Sequence, residues 1–133
     1  MRYIIEDGVT YSVVVEGDLI PYGTSWYGSD NEPLQSCSWN WNKGKAFEVH
    51  KHFNNPRESN YTQEAMVVMK GKLMCLVKTE KGRVHDIILN AGDMIVHYRG
   101  AHGYEILEND TKCYEIKTGP APSILLYPDK GPA

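Results

Sequence analysis

The stretch EAMVVMKGKLMCLVKTEKGRVHDIILNAGDMIVHYRG, residues 64 to 100, is a series of short apolar runs cut at near-regular intervals by turn residues. "KGK" at 70–72, "EKGR" at 80–83 and "NAGD" at 90–93 supply the glycine, asparagine and aspartate that tight turns require. Runs of this length between such turns predict antiparallel strands joined by hairpins. Working outward, "VTYSVVVEG" alternates with Val9, Tyr11, Val13 and Val15 on one face, and "SCSWNW" with Cys37, Trp39 and Trp41. "FEVHKHF", "HGYEILE" and "TKCYEIKT" complete the set of strands. No segment repeats apolar residues at i, i+3, i+4 and i+7, so no amphipathic helix is predicted. An all-β fold follows, a sandwich or barrel in which few edges stay open. The proline-rich end "TGPAPSILLYPDKGPA" reads as an extended arm across the surface.

With 133 residues the chain fits one domain, and roughly two-thirds of its unfolded surface can be buried. A net charge of -3 gives no basic excess for nucleic acid. No run approaches the roughly 20 apolar residues that span a bilayer, and "MRYIIEDGVTYS" breaks into acid and glycine too early for a signal peptide. Cys37, Cys75 and Cys113 are odd in number and widely spaced, which fits reduced thiols. The chain therefore reads as cytoplasmic, with neither a nucleic-acid nor a membrane partner.

The chemistry concentrates in the histidines. If "FEVHKHF" is a strand, Glu48, His50 and His52 share one face, which makes them a solvated polar face or half of a metal site. Glu64 opens an apolar strand, with Met66 and Val68 on its face; Gln63 before it faces the other way, toward a supporting role. His102 opens another strand with Tyr104 and Ile106 alongside. Tyr104 is either a proton donor that orients a substrate oxygen or a core residue bonded to backbone. His97, on the face opposite Val96 and Tyr98, is either a lining residue with a catalytic part or a core histidine held by a hydrogen bond. His85 reads as a half-exposed strand residue. Arg57, within the 53–63 loop, is either a clamp on an anionic substrate or a solvated partner of Glu58. Trp26, Tyr27, Trp39 and Trp41 offer either a sugar-stacking surface or a packing surface for core or dimer.

These residues resemble the cupin superfamily. Its first motif is His-x-His, a spacer, Glu, six residues and Gly; here His50 and His52 precede Glu64, "AMVVMK" and Gly71. Its second is Gly, five residues, Pro, x, Gly, two residues and His; here Gly92, "DMIVH", Tyr98, Arg99, Gly100, Ala101 and His102 follow it. Tyr98 stands where the motif has proline, the last gap is one residue short, Ile106 replaces an expected Asn, and the eleven residues between His52 and Glu64 make a long spacer. The likeness covers about residues 38 to 118. "QE", "AHGYEIL" and "KTGP" are also similar to small cupins found with bacterial surface-polysaccharide and sugar-nucleotide genes.

The resemblance implies one cupin domain over 1–133, a double-stranded β-helix or jelly-roll barrel whose mouth holds a metal. It implies His50, His52, Glu64 and His102 as ligands. Three imidazoles and a carboxylate suit a divalent transition metal: Fe, Mn, Ni, Co or Zn. It points to a metal-dependent enzyme acting on a small oxygen-rich or sugar-related substrate, as an isomerase, lyase or oxygenase. The alternatives are a non-catalytic small-molecule or sugar-binding cupin and a metal-free sugar-nucleotide epimerase or isomerase. A homodimer is expected, since small cupins pair through edge strands and "SCSWNW" and "SILLY" supply apolar surface.

Overall fold

The computed structural model describes residues 1–52 and 62–119. Ten strands account for most of its regular structure: β1 Arg2–Glu6, β2 Val9–Val15, β3 Gly23–Tyr27, β4 Ser36–Asn40, β5 Glu64–Lys70, β6 Lys72–Lys78, β7 Val84–Asn90, β8 Met94–His97, β9 Ala101–Ile106 and β10 Lys112–Lys117. One 3₁₀ turn, Gly17–Leu19, follows β2. The fold is all-β and every strand pairing is antiparallel. Among the described residues no helix is long and apolar enough to cross a membrane.

Three sheets result: five strands in the order β1-β2-β8-β5-β10, three in the order β7-β6-β9, and the β3-β4 pair. The main core lies between the first two. Val14, Val68 and Ile95 from the five-stranded sheet meet Leu73, Cys75, Val77, Ile87 and Leu89 from the three-stranded one. A second cluster, Val13, Val15, Ala65, Val96 and Tyr98, lies on the other side of the five-stranded sheet, where Tyr27, Ile20 and Leu34 cover it. That sheet is therefore apolar on both faces. This explains why Val13, Val14 and Val15 are all buried, where the sequence predicts a single buried face for β2. A register shift between Ile4 and Ile5 marks a bulge that leaves Tyr11 as the unmatched residue of β2. Tyr11 consequently joins the core with Val14 rather than the cluster with Val13.

Two glycines fix turns near the site. Gly71 (φ 85°) links β5 to β6, where a Cβ would run into Thr111; Gly100 (φ 77°) leads into β9, where a Cβ would strike the Lys78 carbonyl and the Tyr11 ring. Only glycine combines that backbone with that proximity.

Two strands escaped the sequence reading. Asp7 and Gly8, both at positive φ, form the tight turn between β1 and β2. "DG" is a strong hairpin signal that the uneven run "RYIIE" masked. β3, "GTSWY", is mostly small and polar and becomes a strand through its pairing with β4. The strand predicted over "FEVHKHF" is corrected: residues 47–52 have no regular secondary structure and are exposed throughout. No described strand pairs with them, so their alternation buries nothing, and Val49 is fully exposed. Phe47 instead stacks on Trp39 at 4.3 Å between ring centroids.

Candidate metal centre

Strand register builds the site. Ser12 on β2 pairs with His97 on β8, His97 with Glu64 on β5, and Glu64 with Lys117 on β10. Directly paired residues share a face, so these four form one row across four adjacent strands. The row passes from buried to open: Ser12 is 0%, His97 3% and Glu64 8% exposed, while the Lys117 side chain is 41% exposed. On the facing sheet, β9 sits against β6 with Tyr104 opposite Cys75 and His102 opposite Val77. Tyr104 and His102, two residues apart on one strand, meet the row from across the core.

The contacts are short and directional. Glu64 Oε2 accepts from Tyr104 Oη at 2.9 Å and pairs with His102 Nε2 at 2.9 Å. Tyr104 has one proton and gives it to the carboxylate, so His97 Nε2, 2.9 Å away, donates to the Tyr104 oxygen. His97 Nδ1 is then bare and accepts from Ser12 Oγ at 2.9 Å. The His97 and His102 rings lie parallel, 4.2 Å apart. Cys75 Sγ stands 3.7 Å from His97 Nε2 at the back of the site.

Charge states follow from these surroundings. Burial opposes ionisation of Glu64, yet hydrogen bonds with His102 and with the Glu115 side chain, then the charge of His102 and the Tyr104 hydroxyl, hold its carboxyl down to about 2. Burial, and then the charge of His102, lowers His97 to about 3 against the pull of Glu64, so its imidazole is neutral. Burial pushes Cys75 up to about 12, helped by the Glu64 charge; it is a thiol at neutral pH. Tyr104 is raised well above the usual phenol range, mainly by burial, and stays protonated.

One donor atom each from Glu64, His97 and His102 lies within 4.8 Å of the others, and this group can hold a metal ion. The fit can be tested on the supports. A ligating imidazole needs its second nitrogen held, and Ser12 Oγ does this for His97. Because a hydroxyl both donates and accepts, Ser12 supports either His97 tautomer, so the Nε2 lone pair can turn to a cation while the Nδ1 bond persists. One carboxylate and two imidazoles form a borderline set that first-row divalent ions accept.

The structure thus brings together Glu64, His102, Tyr104 and His97, but not His50 and His52. Those two rings lie 5.1 Å apart on the exposed 47–52 segment, with His50 Nδ1 at 2.9 Å from the Glu48 carbonyl oxygen. They are described residues and are not among the grouped donors. Gln63 faces away from the site: its amide binds Glu32 at 2.6 Å and accepts from Leu34 N at 2.8 Å, while Glu32 also holds Arg99 at 2.9 Å. His85, on β7 opposite Val77, is half-buried, with a ring nitrogen that has no hydrogen-bond partner among the described residues. Trp26 and Trp39 are largely exposed on one face of the β3-β4 pair, where Phe47 stacks on Trp39. Arg57 and "SILLY" lie outside the described residues. Ser12, Cys75 and Lys117 carried no signal in sequence, because only register brings them to the site. No family model, curated protein or solved structure matches the chain.

Proposed function

We propose that this protein is a metal-binding cupin, a double-stranded β-helix, and a metal-dependent enzyme acting on a small oxygen-rich or sugar-related substrate. The observation that carries the proposal is the grouping of Glu64, His97 and His102 donors within 4.8 Å, on strands from two facing sheets. The two antiparallel sheets packed on one core and the motif glycines Gly71 and Gly100 in sharp turns support the fold assignment. A divalent first-row ion held there would supply Lewis acidity toward a substrate carbonyl or hydroxyl. The chain's own part is to hold that ion and to orient the substrate. Tyr104 keeps its proton and presents a fixed hydroxyl beside Glu64; His97, braced by Ser12, keeps a neutral imidazole beside it. The resemblance adds His50 and His52 as further ligands, and Glu64 and His102 belong to both sets.

Metal content per chain tests this. Wild type holds about one transition-metal ion, and His102→Ala loses it. Loss in His97→Ala with retention in His50→Ala assigns the centre to the group seen in the structure. The reverse pattern assigns it to the His-x-His set. A wild-type protein that holds no ion after incubation with Fe(II), Mn(II), Co(II), Ni(II) or Zn(II) refutes the reading.

One observation favours a second reading. His102, Glu64, Tyr104, His97 and Ser12 form a hydrogen-bonded chain that is closed without any ion, and His102 with Glu64 is a base–carboxylate pair. A metal-free epimerase or isomerase would use that pair. Turnover that survives exhaustive chelation but is lost in His102→Ala would establish it.

A further inference from the structure

Building on the metal reading, we propose that Lys117 is a resident counter-cation that sets how tightly the centre holds its ion, and that Glu115 controls how much of its charge reaches Glu64. Glu64 divides its oxygens: Oε2 takes His102 and Tyr104, while Oε1 faces Lys117 Nζ at 3.7 Å. Among the described residues β10 is an edge strand, and Glu115 lies two residues before Lys117 on its site-facing side, opposite Met66. The Lys117 ammonium meets Glu115 Oε1 at 2.7 Å, closer than it meets Glu64. It therefore bridges two carboxylates.

An entering cation competes with this ammonium for Glu64. With Lys117 present, the Glu64 charge is partly neutralised and the ion is repelled; without it, both carboxylates favour the ion. Glu115 holds Lys117 back from Glu64, and losing the Glu115 charge frees Lys117 to pair with Glu64 alone. The two residues thus move affinity in opposite directions. Partial exposure keeps the effect modest, roughly three- to tenfold for each charge at low salt.

The test is titration of full-length protein with Zn²⁺ and with Co²⁺ against a competing chromogenic chelator. Lys117→Met binds roughly three- to tenfold more tightly than wild type, Glu115→Gln more weakly, and Lys117→Arg like wild type; high salt shrinks all the differences. In the Glu115→Gln background, Lys117→Met raises affinity by a larger factor than it does alone, because there Lys117 pairs only with Glu64. Circular dichroism verifies that the exposed edge-strand variants stay folded. Unchanged or weaker binding in Lys117→Met, with wild type holding its ion, overturns the counter-cation role and leaves the centre standing. Binding gained only in Lys117→Met supports the role in a weak centre. No binding in either protein overturns both.

Discussion

Acid should destabilise the metal-free protein chiefly through His97. Its imidazole is buried, hydrogen-bonded to Ser12 and Tyr104, and lowered from the ordinary 6.5 to about 3. The sign follows from proton uptake. Below pH 6.5 the unfolded chain protonates this residue while the folded chain does not, so stability falls with pH until the folded group titrates near pH 3. Between pH 7 and pH 5 the unfolded state gains on the order of 1.4 pH units of proton binding, about 2 kcal/mol. Glu64 acts lower. Its carboxyl is held down from 4.5 to about 2, so its contribution is complete above pH 4.5 and is lost as pH falls toward 2. The pH 7 to pH 5 window therefore lies above the Glu64 titration, and the difference between wild type and a His97 variant isolates His97. Urea denaturation in EDTA at pH 7, 6 and 5 reads the effect as a falling midpoint at constant slope. His97→Gln lowers stability at every pH yet flattens the dependence. A loss in His97→Gln equal to that of wild type would refute the burial of a neutral imidazole.

Replacing Tyr104 by Phe leaves Glu64 and His97 without their shared hydroxyl and costs about 1–3 kcal/mol in urea denaturation. An unchanged midpoint would place that hydroxyl elsewhere. Gly100→Ala should cost more than Gly82→Ala: both sites have positive φ, but only at Gly100 does a Cβ meet the Lys78 carbonyl and Tyr11. Each carries about 1–3 kcal/mol of backbone strain, so the difference between the two midpoints measures the clash, and equal losses would mean that the contact relaxes freely. If the expected homodimer forms through the β3-β4 face, where Trp26 and Trp39 are 64% and 58% exposed, then Trp26→Ser with Trp39→Ser should sediment as a monomer where wild type sediments as a dimer. Wild type that sediments as a monomer at high concentration would rule out that interface.

The strands of residues 64 to 117 were legible because turn glycines and period-two alternation agree there. "KGK", "EKGR" and "NAGD" each fall at a strand junction of the structure. Alternation also placed His97 opposite Val96 and Tyr98, and those two lie in the cluster beneath the sheet while His97 faces the core side. The same logic misled at 47–52. Alternation describes side chains only once a neighbouring strand supplies hydrogen bonds, and nothing in "FEVHKHF" reports whether a neighbour exists. The fate of β2 shows a related limit. Its apolar run reads as one face, but a bulge and a second apolar layer bury both.

Register was the larger unknown, and it makes the chemistry. Ser12, His97, Glu64 and Lys117 are scattered along the chain and share no spacing motif, yet they stand opposite one another because β2, β8, β5 and β10 pair in one alignment. A slip of one residue on β5 would set Gln63 or Ala65 against His97 and turn the carboxylate to the far face. The alignment is held from both sides of the sheet. Met66 and Val68 face the core on the Glu64 side, Ala65 packs into the second cluster, and Gln63 is tied to Glu32 and Leu34. Slipping would thus bury a carboxylate among apolar groups and take Val68 out of the main core, a double cost that an exposed strand would escape. The apolar layers on both faces therefore stabilise the fold and, by fixing register, also position an ionised Glu64 beside two imidazoles.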